Sequence, residues 1–143
     1  FINAYFTGFP RVRAFIDRTL EEARQSGVVR TMFGRRRLMP NLTSRNFQMR
    51  SQAEREAVNM PIQGTAADIL KKAMIDLHAA LPGSGLRAQM ILTVHDELLF
   101  ECAREDADAV AAFVRERMEG AASLRVPLTV DIGIGENWRD AKS

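Results

Sequence analysis

The 143-residue sequence is short of the residues that staple small domains or close metal sites. It contains one cysteine, Cys102, and two histidines, His78 and His95. A single thiol excludes an intrachain disulfide and a thiolate-rich zinc centre, and two histidines exclude a three-histidine catalytic zinc site built from this chain alone. The lone thiol fits an intracellular, reducing compartment. No stretch of eighteen apolar residues occurs and no signal-peptide pattern is present, so neither a membrane-spanning helix nor secretion has support. There is no internal repeat and no low-complexity segment. Apolar residues make up 46% of the chain, which excludes wholesale disorder and suffices for one domain with a real core. The first residue is Phe1, not Met, from which we expect a chain that is processed, excised or incomplete, and part of something larger.

Lysine is missing from residues 1–60. That half carries eleven Arg against five acids, a net +6, whereas residues 61–143 carry nine Lys or Arg against thirteen acids, a net −4. The planar guanidinium suits phosphate, so a basic half beside an acidic half suggests a polyanion held against a metal-binding site. Ordinary surface charge is the competing reading.

Residues 1–27 read as helical, with Pro10 in a first turn, Val12, Phe15, Ile16, Leu20 and Ala23 at helical spacing, and Gly27 as the stop. Residues 28–40 read as a hairpin or tight turn about Gly34, and Arg35, Arg36 and Arg37 there are either phosphate contacts or a solvated basic loop. Residues 41–46 read as an exposed turn. Residues 47–81 should form the longest helix, with an apolar stripe at Val58, Ile62, Ala66, Ile69 and Ala73 and a kink at Pro61. Arg55, Asn59 and Gln63 recur at i+4 along an adjoining stripe and are candidates to bond nucleic-acid acceptors; a plain exposed face is the alternative. Gly64 to Ala67 is a small-residue patch that lets another element pack closely. Asp68 is a site residue, solvent-facing, or paired with Lys72. A second helix is expected over residues 104–120, with Val110, Phe113, Val114 and Met118 buried, and a strand over residues 126–132 with Trp138 packed on the sheet.

The most informative stretch is Leu92-Thr93-Val94-His95-Asp96-Glu97-Leu98-Leu99-Phe100. Two short apolar runs flank three polar residues, which predicts an antiparallel hairpin with His95, Asp96 and Glu97 at its tip, although the usual Asn-Gly or Asp-Gly signal is absent. Two adjacent carboxylates beside an imidazole suit a hard divalent cation such as Mg²⁺; a solvated polar turn is the plainer reading. The element order predicts an α+β fold, a small antiparallel sheet with helices packed on one face.

The string from Arg55 through Asn59, Pro61, Gln63 and Gly64 to Ile69, followed by Val94-His95-Asp96-Glu97, resembles the C-terminal part of family A DNA polymerases, the bacterial DNA polymerase I type. Thr31 to Arg37 and Gly133-Ile134-Gly135-Glu136-Asn137-Trp138 resemble the same family in the same order. The resemblance implies a palm fragment, with residues 1–48 as the end of the fingers and residues 49–143 as the C-terminal part of the palm. It implies that Asp96 binds metal in a two-Mg²⁺ site, that Glu97 lies near the metals, that His95 lies near the primer terminus, and that Arg55, Asn59 and Gln63 line the template-primer minor groove. The implied partners are primer-template DNA, deoxynucleoside triphosphates and the remainder of the polymerase, without a membrane, in the bacterial cytoplasm or nucleoid. The implied reaction is two-metal nucleotidyl transfer to a primer 3′-hydroxyl. The family's other metal-binding aspartate and its nucleotide-binding helix are not in this sequence, so the isolated chain is expected to be inactive. The rival classes are a non-catalytic DNA-binding module and a metal-dependent phosphohydrolase using His95 and Asp96; the second lacks the further His and Asp ligands it would need.

Overall fold

The computed structural model describes residues 2–142. The chain divides into two compact units, Phe1–Asp68 and Ile69–Ser143, and the division falls inside its longest helix.

The first unit begins with α1 (Ile2–Gly8) and α2 (Pro10–Ser26). Pro10 occupies the first helical position of α2, where its missing N–H costs nothing. Gly27 ends the helix at φ 72°, donating its N–H to the Ala23 carbonyl at 2.8 Å. That left-handed position is where a glycine avoids the Cβ penalty. Strands β1 (Val28–Arg30) and β2 (Arg36–Leu38) follow as the expected hairpin, with Val29 opposite Arg37. Residues 41–46 are mostly exposed, as read from the sequence, with Leu42 as the exception. Pro40–Thr43 forms a 3₁₀ turn whose Leu42 is 2% exposed and joins Ala23, Val29, Met39, Ala53 and Ala57 in the core of this unit. An apolar residue inside a polar sequence still follows the core when the turn folds back onto it.

Helix α3 (Phe47–Ala80) spans 34 residues and runs through Pro61 as one helix. Its buried face matches the stripe drawn from the sequence only in part: Ala73 is buried and Val58 and Ile69 are half-buried, but two members are not. Ile62 is 62% exposed and Ala66 is exposed, whereas Ala53, Ala57, Thr65 and Asp68 are buried in the first unit and Ala73 and Leu77 in the second. Alanines at i+4 let the helix approach its neighbours closely, and close approach decided the face over hydrophobicity alone.

The second unit is organised on β3 (Ala88–Val94) and β4 (Glu97–Cys102), an antiparallel hairpin. Leu98, Phe100 and Cys102 alternate onto one face of β4. They pack, with Leu86 and Ala88, on a core of Leu77 from α3 and Val110 and Val114 from α4 (Ala107–Glu119). Phe113 and Met118 complete this cluster, as the sequence spacing predicts. A two-stranded hairpin is marginal alone in water, and this helix-backed face stabilises it. At the hairpin base, Arg87 donates through both its backbone N–H and its Nε to the Asp106 carboxylate, the latter at 2.9 Å. Those hydrogen bonds hold the Asp106 carboxyl below its ordinary value. Its stabilising contribution is therefore present above the usual carboxylate range and fades as the pH falls through the lowered value.

The α+β architecture holds at 60% helix with two small antiparallel sheets. The strand expected over residues 126–132 does not form a ladder among the described residues. Pro127 has no N–H to offer, and the Val130 N–H is donated to the Glu119 side chain at 3.0 Å rather than to a strand. Trp138 opens α5 (Trp138–Ala141) and is 42% exposed, with the Lys142 ammonium 5.1 Å from its ring centre, instead of being buried on a sheet.

We expect Leu77→Ala to cost about 2–5 kcal/mol, as for other truncations in a closed core. Ile62→Ala, on the face the sequence marked as apolar, should stay within about 0.5 kcal/mol. Urea unfolding of each variant separates the two; equal losses would contradict the observed face of α3.

Candidate functional site

The tip of the β3–β4 hairpin is fixed by register. Val94 pairs with Glu97, Thr93 with Leu98 and Leu92 with Leu99. His95 and Asp96 are therefore the two central residues of the connection. A two-residue hairpin loop needs a positive φ at its first or at both central positions to match the strand twist, and glycine or asparagine usually supplies it. Here His95 does so at φ 56°, the one positive-φ non-glycine among the described residues. A non-glycine residue held there costs on the order of 1–3 kcal/mol and persists only where its surroundings impose it. A register shift between Met90 and Leu92 places a bulge near Ile91, a device that re-aims side chains near hairpin ends.

His95 and Asp96 are both exposed. The Asp96 carboxylate makes no ion pair or hydrogen bond among the described residues. Glu97, which the resemblance sets near the metals rather than on them, has a surrounding of its own. It is half-buried, and its Oε1 takes a 3.0 Å ion pair from the Lys142 ammonium. Of the two neighbouring acids, one carboxylate is without a partner among the described residues and the other is paired with an ammonium. Among the described residues, no three His, Cys, Asp or Glu side chains converge on one point. The donor chemistry fits Mg²⁺ nonetheless: a hard ion takes one or two carboxylates and fills the rest of its octahedron with water and substrate phosphate. Asp96 offers one such carboxylate.

In the first unit, Arg55, Asn59 and Gln63 lie four residues apart on α3 and are all exposed, so they form one outward row of a guanidinium and two amides. The Arg55 Nη1 donates to Ser51 one turn earlier at 3.0 Å, which steadies it along the helix. The Asn59 and Gln63 amides make no hydrogen bond among the described residues.

A third constellation escaped the sequence reading. Asp68 is 5% exposed, and its two oxygens accept from the Thr31 hydroxyl at 2.7 Å and from the Arg35 Nε at 2.6 Å. The Thr31 hydroxyl in turn accepts the N–H groups of Phe33 and Arg35, each at 3.2 Å, and the Met32 N–H is donated to Thr65 on α3 at 3.0 Å. Glycine at position 64 makes the approach possible: a Cβ there would sit 2.8 Å from the Thr31 methyl. Thr31 and Asp68 are 37 residues apart, so no local pattern joins them. The available signal was the row Ala53, Ala57, Met60, Gly64, Asp68, whose continuation past the small residues ends on a carboxylate. Of the three arginines, Arg37 is paired with Glu56 at 2.6 Å, Arg35 with Asp68, and Arg36 makes no ion pair among the described residues.

The geometry of the tip yields a stability test. His95→Gly removes the Cβ strain and loosens the unfolded chain, two effects that offset, so its melting free energy should stay within about 1 kcal/mol of the parent. His95→Val should lose about 1–3 kcal/mol, because a β-branched residue is poorly tolerated at positive φ. Equal melting of the valine and glycine variants would show that the tip does not impose this conformation.

Residues 1–140 match the family model described as DNA polymerase family A. The thermostable DNA polymerase I of Thermus aquaticus is 54% identical over 142 residues, which cover 99% of this chain and 17% of that protein. The DNA polymerase I of Bacillus caldotenax is 51% identical over the same length, covering 99% and 16%. Among solved structures, the POL domain of Pol1 from M. smegmatis, in complex with DNA primer-template and dNTP, matches with a TM-score of 0.94 at 44% identity, over 99% of this chain and 25% of that one. The chain thus spans about a sixth of the length of these curated relatives. With ordered motifs and fold both in agreement, the chain belongs to DNA polymerase family A.

Proposed function

We propose that the protein carrying this chain is a DNA-directed DNA polymerase that adds deoxynucleotides to a primer 3′-hydroxyl. The observation that supports it most is the free, exposed carboxylate of Asp96 on a register-locked hairpin tip, in a chain of this family. In this reading residues 1–48 belong to the end of the fingers and residues 49–143 to the palm.

Asp96 would hold a divalent cation, Mg²⁺ in the reading drawn from the sequence. Such an ion, when bound, lowers the pKa of the primer hydroxyl and neutralises developing phosphate charge. The hairpin's part is positional: stiff strands hold Asp96 where loop motion would otherwise blur its placement. Glu97, bound to Lys142, tunes the charge of the tip rather than offering a free ligand. His95 presents its imidazole beside Asp96 at the primer end. The Arg55, Asn59 and Gln63 row supplies donors to the minor groove, where purine N3 and pyrimidine O2 acceptors recur for every base pair. Donors matched to those common acceptors sense pairing geometry without reading sequence. The 143-residue chain by itself should not extend a primer, since one carboxylate holds two ions poorly.

A DNA-binding module without catalysis is the reading to separate from this one. Asp96→Ala in the full polymerase chain should leave the primer-template Kd within about threefold. It should lower single-turnover incorporation by roughly 10³-fold, the loss of several kcal/mol of transition-state stabilisation. Incorporation unchanged by Asp96→Ala would defeat the proposal.

A further inference from the structure

Arg35 is held differently from its neighbours. Its Nε is taken by the buried Asp68 carboxylate at 2.6 Å, while its side chain remains 57% exposed. Among the described residues its two terminal Nη groups take no hydrogen-bond partner. A guanidinium bonded through Nε to a fixed carboxylate has lost most of its rotational freedom, yet keeps outward N–H donors in the spacing that matches two phosphate oxygens. The loop that carries it is itself closed. The Thr31 N–H is donated to the Arg35 carbonyl and the Gly34 N–H to the Thr31 carbonyl, both at 3.0 Å, and Thr31 is bonded to the same Asp68. Arg37, by contrast, is committed to Glu56. Arg36 hangs on an exposed strand with no partner among the described residues and would lose its full side-chain entropy on binding.

We propose that Arg35 is a preorganised phosphate-binding residue, and that Asp68 is the positioning residue that orients it. This rests on the polymerase reading and adds a contact outside the Arg55, Asn59 and Gln63 row. The phosphate belongs either to the backbone of the primer-template duplex or to the incoming triphosphate. The Asp68 carboxylate is buried and already bonded, so it acts on the ligand only through Arg35.

The test uses the full polymerase chain, with primer-template affinity measured by fluorescence anisotropy across a potassium chloride series and the dNTP dependence measured by single-turnover incorporation. Arg35→Gln should weaken the duplex about tenfold and reduce the salt slope by about one, whereas Arg37→Gln should change neither. Asp68→Asn should reproduce the reduced salt slope. Added to Arg35→Gln, it should give no further loss of affinity, a non-additivity that a merely structural role would not produce. A duplex effect with unchanged dNTP dependence assigns the phosphate to the DNA backbone; the reverse assigns it to the triphosphate. If the parent protein binds the duplex and Arg35→Gln alters neither affinity nor dNTP dependence, the inference is overturned. Because Arg35 is exposed, that outcome can be read even if Asp68→Asn unfolds. If the parent protein itself fails to bind primer-template, the polymerase reading fails instead.

Discussion

A two-residue connection between two in-register strands constrains the second unit more than any other feature. Val94 opposite Glu97 leaves only His95 and Asp96 to reverse the chain. That geometry forces a positive φ on a histidine, and the cost is met by the packing of Leu98, Phe100 and Cys102 against α3 and α4. The result is a carboxylate whose backbone position is set by the register of the two strands. Loosening the core beneath the hairpin would loosen the position of Asp96 without touching it.

The first unit applies the same logic with polar groups. A charge as deeply placed as Asp68 is tolerable only when its oxygens are bonded, and Thr31 and Arg35 bond them. The bonds tie the Thr31–Arg35 loop to α3 and leave the far side of Arg35 open to solvent. Arg35 is thus held at Nε by a buried carboxylate while the rest of its guanidinium faces outward.

Much of this was legible before any coordinates. Pro10 and Gly27 bracket α2 because first-turn proline and left-handed glycine are local requirements. The hairpins about Gly34 and His95, and the buried stripe of α4, followed from short-range alternation and helical spacing. What failed was non-local. The face of α3 was misread at Ile62 because alanine spacing and close approach outweighed side-chain hydrophobicity. Leu42 was missed because a turn of polar composition folded onto the core. The strand over residues 126–132 was misjudged because a strand exists only when something pairs with it. At the tip, the residue types were legible, and the resemblance already separated Asp96 from Glu97; the pairing of Glu97 with Lys142 was not legible, since Lys142 lies 45 positions away along the chain.

The most direct measurement is anomalous diffraction from the full polymerase chain crystallised with primer-template, a non-reacting deoxynucleoside triphosphate analogue and Mn²⁺. A manganese peak with an Asp96 carboxylate oxygen in its coordination shell, at roughly 2.0–2.2 Å as for other hard-ion carboxylates, is the expected result. Manganese seated at the nucleotide phosphates, with Asp96 outside its shell and free in solvent, would contradict the central claim.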